Sequence, residues 1–253
     1  MEQWPILVLS GFGAGFLAGA IGLGAIVLVP LLVFVAGLPI HAAAGASIAN
    51  TFAAAVSALV AHRRRRRVHV RIGLIAAAGA LVGGGTGGLA SALVSGQMLT
   101  AFYLTVVLVA LALVAPVEQA AEPTEPPRGG IVALSIGLTV GLIGGMIGVG
   151  GGFIQVPLLV RAARMRMHEA VGTSLFIALF GTAAGFSGKL VTGQVPFPEA
   201  LIVLAGGMTG GQLGARLSGR FNARVLRGAF ALVLLLIAAR VAADLFGWPP
   251  KAS

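Results

Sequence analysis

Two apolar runs in this chain carry the same glycine break. The run GFLAGAIGLGAIVLVPLL, from Gly15 to Leu32, returns as GLIGGMIGVGGGFIQVPLL, from Gly141 to Leu159, with one extra residue inside the glycine cluster. Each run is too long for one ordinary helix. Each holds a glycine knot (Gly22 and Gly24; Gly148, Gly150, Gly151 and Gly152) and then a proline (Pro30; Pro157). Glycine leaves open backbone that a side chain would cover, and in lipid such backbone survives only inside protein or beside a cavity. The expectation is a pair of interrupted helices meeting inside a membrane.

The membrane itself follows from composition. The 253 residues are 58% hydrophobic and 9% charged, with a mean hydropathy of +1.02. Apolar segments recur over nearly the whole length and leave no room for a sizeable soluble domain. A formal charge of +10 would suit nucleic acid, but the basic residues gather in short clusters between apolar segments, where orientation signals lie, and no nucleic-acid partner is expected. Cysteine is absent, which removes disulfides, thiolate nucleophiles and most soft-metal sites. The opening MEQWPILVLSGF has no basic region before its apolar stretch and reads as retained sequence.

The chain divides into two matching sets of segments. The first comprises a long segment at 5–38, then 41–61, 72–94 and 99–115; the second comprises 131–160, then 168–190, 200–218 and 225–245. Between them PVEQAAEPTEPPRGG, Pro116 to Gly130, carries four prolines and three glutamates and reads as a solvated cytoplasmic linker. The organisation expected is one transmembrane domain made of a first repeat, 1–115, the linker 116–130, and a second repeat, 131–253. At a constant offset of 127, Pro30 falls on Pro157, His41 on His168, Gly45 on Gly172, Ser47 on Ser174, Gly83 on Gly210, Gly84 on Gly211 and Gly87 on Gly214.

The charges do not repeat. The basic loops are 62–71 in the first half, and 161–166 and 216–227 in the second; the loops homologous to them carry few charges or none. Short basic loops face the cytoplasm, so homologous loops lie on opposite sides and the halves are inverted. All basic clusters fall on one side only if each knotted segment turns back. Its arms of roughly fourteen to eighteen residues are short of the roughly twenty that span a bilayer. The fold class expected is an all-α integral membrane protein of two inverted repeats, each a broken, re-entrant helical hairpin plus three transmembrane helices; ten short crossings are the alternative.

Inverted repeats with broken helices point to transport, with the site near the midplane where half-helix N-termini aim their positive ends. Those N-termini follow Gly24 and Gly152, and the hairpins hold no acidic residue, which favours an anion. The plain alternative is that such glycines only let helices pack closely. Polar residues inside apolar segments complete the binding candidates, because each is costly there without a partner or a cavity. They are Ser47, Asn50, Thr51, Gln155, Thr173, Ser174 and Gln212. Serine and threonine often bond back to their own helix, so Asn50, Gln155 and Gln212 are the stronger candidates.

Other residues have plainer readings. His41 and His168 suit interfacial anchoring or capping, Lys189 a snorkelling side chain, with attraction of an anion at the outer mouth as its alternative, and Arg240 and Asp244 an i,i+4 pair. The arginine run from Arg63 to Arg67 suits orientation and contact with lipid headgroups. GFSG at Gly185–Gly188 lacks a downstream histidine, the Gly188–Lys189 pair lacks the other residues of a phosphate loop, and no metal-ligand constellation is visible. No catalytic residue, metal site or cofactor is expected, and the chain does not read as an enzyme.

The paired knots, each followed by a G-x-S element (Gly45-Ala46-Ser47; Gly172-Thr173-Ser174), resemble the TauE/SafE family of membrane permeases over essentially the whole chain. The first knot departs from the fuller pattern, with Ala18 and Ala25 where the second half has Gly144 and Gly151. The resemblance implies a secondary transporter in the cytoplasmic membrane that exports sulfite or an organosulfonate by alternating access, with a proton as an optional coupling ion. A permease or channel for a carboxylate or metal ion, and a membrane scaffold without transport, are the competing readings.

Overall fold

The computed structural model describes residues 4–21, 24–64, 68–114, 130–217 and 223–245. Gly22, Arg65 to Arg67, residues 116–129 of the linker and residues 218–222 of the last basic loop lie outside the described residues. Among the described residues there are ten α-helices and no strand: α1 (Trp4–Ile21), α2 (Ala25–Phe34), α3 (Ile40–Arg64), α4 (Val70–Ala90), α5 (Gly96–Val114), α6 (Ile131–Ile147), α7 (Gly152–Arg161), α8 (Met167–Val191), α9 (Phe197–Leu217) and α10 (Ala223–Leu245). A short 3-10 turn, Ser91–Leu93, follows α4.

The two knotted runs are broken at their glycine clusters. The arms are unequal, however, with 18 and 10 residues in the first run and 17 and 10 in the second. The even division expected from sequence fails in the second arms, because α2 ends at Phe34 before a turn with left-handed Gly37, and α7 at Arg161 before a turn with left-handed Arg164. A ten-residue helix is about 15 Å long, half the hydrocarbon thickness of about 30 Å. The 25-residue helices α3 and α8 are about 37 Å long. The segments Val70–Leu93 and Glu169–Val191 are both long and apolar enough to cross a membrane.

Close packing follows a four-residue glycine spacing. Along α1, Gly11, Gly15 and Gly19 lie on the backbone of Val203, Gly207 and Gly211 of α9; in return Gly206, Gly210 and Gly214 lie on Val8, Phe12 and Phe16. Along α4, Gly79, Gly83 and Gly87 lie on Leu134, Leu138 and Leu142 of α6, and Gly137, Gly141 and Gly145 on Ala76, Ala80 and Gly84. Positions four apart share one helix face, and without Cβ atoms there the two backbones touch. In both pairs the numbers rise together, so the paired helices run parallel.

Two further faces complete the interior. Gly84 and Gly88 of α4 meet Gly181 and Gly185 of α8, while Gly207 and Gly211 of α9 meet Asn50 and Ala54 of α3. Helices α3 and α8 run antiparallel: Gly45, near the start of α3, lies on Gln194 beyond the end of α8, and His69, beyond α3, bonds to Thr173 near the start of α8. Two three-helix groups result, α1–α3–α9 and α4–α6–α8, each mixing elements from both ends of the chain. Outside them Leu9, Leu74, Leu134, Leu201, Leu232 and Leu236 are exposed, an apolar surface of the kind that faces lipid.

Candidate functional site

The second knot is the better-defined break. Helix α6 ends on Gly148 at φ 74°, its N–H donating to the carbonyl of Gly144, and α7 starts from Gly151 at φ 72°. Both angles are left-handed and would strain any residue with a Cβ. Ile154 and Gln155 close the first turn of α7 on the Gly151 carbonyl, at 3.0 and 2.8 Å. In the first knot Gly24 is right-handed, φ −72°, and packs on Ala14 and Ala18 of α1.

Gly150 stands where three elements meet. A Cβ there would run into the Thr51 methyl of α3 and lie 3.0 Å from the Thr182 methyl of α8. Thr51 is near the midpoint of α3 and Thr182 close to that of α8, so the break lies about halfway along the long helices. Beside it Gly144, Gly145, Gly150, Gln155 and Thr182 border a cavity of about 10 Å³, the space of roughly one water molecule.

Three of the buried hydroxyls bond back to their own helices. Thr51 donates to the Ser47 carbonyl at 2.9 Å, Ser174 to that of Val171 at 2.9 Å and Thr182 to that of Ala178 at 2.6 Å. Ser47 Oγ, Asn50 Oδ1 and Gln155 Oε1 are buried and have no partner. A buried polar atom left without a partner costs about 1–3 kcal/mol, so three of them near the middle of the bundle call for a function. A carboxamide carries both an acceptor and two donors on one rotatable plane. It can therefore serve an oxyanion through its N–H edge or a bound hydroxyl through its carbonyl.

The structure gathers some of the candidates and separates others. Thr51, Gly150 and Gln155 converge, joined by Thr182, which sequence reasoning passed over although it lies two turns beyond Ser174 on the same side of α8. Gly148 presses on Ala44 of α3 and Gly151 on Val140 of α6, holding the loop in place, and Gly152 opens α7. Asn50 faces Gly207 of α9. Thr173 accepts the His69 N–H at 2.9 Å and so fastens the turn before α4. Gln212 is exposed on α9, its residue turned away from the buried glycines of that helix. Gly22 lies outside the described residues.

Three of the plainer readings can be compared with the structure. His41 Nε2 lies 3.2 and 3.0 Å from the carbonyls of Ser91 and Val94. With two acceptors opposite, that nitrogen is the donor, and it anchors the turn between α4 and α5. Lys189 does not snorkel, being 0% exposed. Arg240 does not pair with Asp244; its guanidinium lies 4.4 Å from the ring centroid of Phe34 on α2. The His168 side chain lies outside the described residues.

A chain whose described residues fold into helices alone, with an apolar outer surface, glycine-packed interior helices and two helices interrupted in mid-course, is an integral membrane protein. The profile of the sulfite exporter TauE/SafE family matches residues 7–241, and the chain belongs to that family. It is 32% identical over 243 residues to a "Probable membrane transporter protein" of Xylella fastidiosa strain 9a5c, covering 91% of this chain and 90% of that one. It is 27% identical over 261 residues to the "Probable membrane transporter protein YunE" of Bacillus subtilis strain 168, covering 93% and 96%. No solved structure matches it.

Proposed function

We propose that the protein is a secondary transporter that exports a small sulfur-containing anion, sulfite or an organosulfonate, across the cytoplasmic membrane by alternating access. The observation that carries this reading is a buried carboxamide at the N-terminus of a helix that begins in mid-bundle: Gln155, on the first turn of α7, can turn its N–H edge to an anion. It shares its small cavity with Gly150 and Thr182. Family membership and the names of the relatives support transport; the positive end of α7 and the absence of an acidic side chain along α6 and α7 support an anion.

In this reading residues 1–115 and 131–253 are repeats inverted in the membrane, joined by a cytoplasmic linker, with loops 62–71, 161–166 and 216–227 inside. The antiparallel course of α3 and α8, and the matched pairs α1–α9 and α4–α6, support it. The moving bodies are not the two sequence halves, because the glycine contacts fasten each broken hairpin to a helix of the other half. They are the mixed groups α1–α3–α9 and α4–α6–α8, which slide or rock where Thr51 meets Gly150. A cavity of about 10 Å³ is too small for a polyatomic anion, so passage requires that contact to open.

The membrane potential suffices as a driving force. At about 2.3 kcal/mol per charge per 100 mV, an inside-negative potential of about 100 mV favours exit of a dianion by about 4.6 kcal/mol, and a coupled proton is not obligatory. The test is flux of sulfite and of an organosulfonate in proteoliposomes, with and without a pH gradient, for the native protein and for Gln155→Leu. The variant loses flux while keeping or gaining thermal stability; undiminished flux in Gln155→Leu refutes the assignment. Acceleration by unlabelled solute on the far side distinguishes a carrier from a channel.

A further inference from the structure

Lys189 occupies the last turn of α8, at the end of the bundle opposite the basic loop that precedes that helix. Its stem could reach water there, yet the residue is 0% exposed. Nζ donates to Ser91 Oγ at 2.8 Å and to Gln194 Oε1 at 3.1 Å. Ser91 Oγ in turn donates to the Gly88 carbonyl at 2.7 Å, and Gln194 Nε2 to Thr192 Oγ1 at 2.6 Å. His41 braces the same turn from α3 through the carbonyls of Ser91 and Val94.

Every partner of this ammonium is neutral. Among the described residues no carboxylate reaches Lys189. A buried charge without a countercharge is destabilising, and an apolar side chain of similar volume would cost the fold less. Such a group inside a membrane protein marks a path for charge. The offset of 127 also places His62 on Lys189 and Ser218 on Ser91, so a basic residue and a serine recur at corresponding places in the two repeats.

Building on the anion-transport reading above, we propose that Lys189 is the anion-recognising residue at the end of the path opposite the basic loops. The ligand class is a small oxyanion, which takes the ammonium from Ser91 Oγ and Gln194 Oε1. Those two groups hold the cation inward, and His41 and Gly45 bring α3 against the same turn and loop. The cluster is therefore also the closure between the two helix groups at this end. Arrival of the anion at Lys189 loosens it.

The chain has no cysteine of its own, so a single Val191→Cys, at a position 81% exposed beside the cluster, reports on the local field. The ratio of modification rates by an anionic and a cationic methanethiosulfonate falls about fivefold or more when Lys189→Gln is added, and is held by Lys189→Arg. In proteoliposomes Lys189→Gln raises the KM for sulfite presented from the Lys189 side by about tenfold, with little change from the other side. A rate ratio unmoved by Lys189→Gln, or a sulfite KM unmoved on both sides, overturns the proposal. If native vesicles carry no sulfite while the rate ratio still falls, the sulfur-anion reading is lost and the Lys189 assignment stands.

Discussion

The hydroxyl of Tyr103, on α5, donates to the carbonyl of Ile26, on α2. That carbonyl is four residues before Pro30, which has no N–H to give it. Tyr103 is almost fully buried, so the bond restores within the bundle what the proline removes within the helix. Tyr103→Phe is expected to cost about 1–3 kcal/mol of stability. In a Pro30→Ala background residue 30 regains its donor, and the same change then costs at least about 1 kcal/mol less. Denaturant unfolding of the four proteins in detergent measures the coupling; equal costs in both backgrounds contradict the assignment. In the second repeat the offset of 127 puts Phe230 at the place of Tyr103, and phenylalanine has no hydroxyl to offer.

Two glycines of α1 should respond to alanine with opposite signs. A Cβ on Gly13 meets nothing within 4 Å, whereas on Gly15 it would stand 2.7 Å from the Cα of Gly207. Gly13→Ala gains helix propensity and stabilises by about 0.5–1 kcal/mol. Gly15→Ala forces α1 from α9 and destabilises by about 1–3 kcal/mol. Melting temperatures read both, and a loss of stability at Gly13 would show that its exposed face is packed on something else.

Gly150 gives a test of function rather than of packing. Gly150→Ala drives a methyl into those of Thr51 and Thr182, at the contact proposed to open, and reduces flux by about tenfold or more. Thr51→Ser removes the nearer obstacle while keeping the hydroxyl bond to the Ser47 carbonyl, and it restores part of the flux lost by Gly150→Ala. A stability loss without a flux defect in Gly150→Ala would show that this glycine only packs helices and that the contact does not gate the path.

How much of this was legible in the sequence depended on whether one segment was enough to decide. The breaks were visible because Gly148 to Gly152 interrupt an apolar run. Their unequal arms were not, because the apolar stretch after each proline does not mark where α2 and α7 stop; the turns at Gly37 and Arg164 show it only through their left-handed backbone. Gln155 and Gln212 are the same residue in similar surroundings; the glycine face of α9, Gly206, Gly210 and Gly214, could have shown that Gln212 points away. Lys189 turns inward onto Gln194, in the loop just after its own helix, and onto Ser91 at the end of α4; the second partner comes from a distant part of the chain and gave no local signal.

The turns that follow α2 and α7 have the same hydrogen bonds. Ala36 and Leu38 donate to the carbonyls of Leu31 and Leu32 at 3.2 and 3.0 Å, as Ala163 and Met165 donate to those of Leu158 and Leu159 at 3.2 and 3.0 Å. The left-handed position is Gly37, φ 68°, in one turn and Arg164, φ 55°, in the other. A side chain in that conformation costs about 1–2 kcal/mol, and a Cβ on Gly37 would meet nothing, so at Gly37 backbone strain is the whole cost of adding one. Gly37→Ala is therefore expected to destabilise by about 1 kcal/mol, read as a fall in melting temperature. Arg164 belongs to the basic loop 161–166, one of those proposed to orient the chain. A cysteine placed at Thr192 should accordingly be labelled from the side opposite to one at position 164. Labelling of both from one side would contradict the proposed orientation.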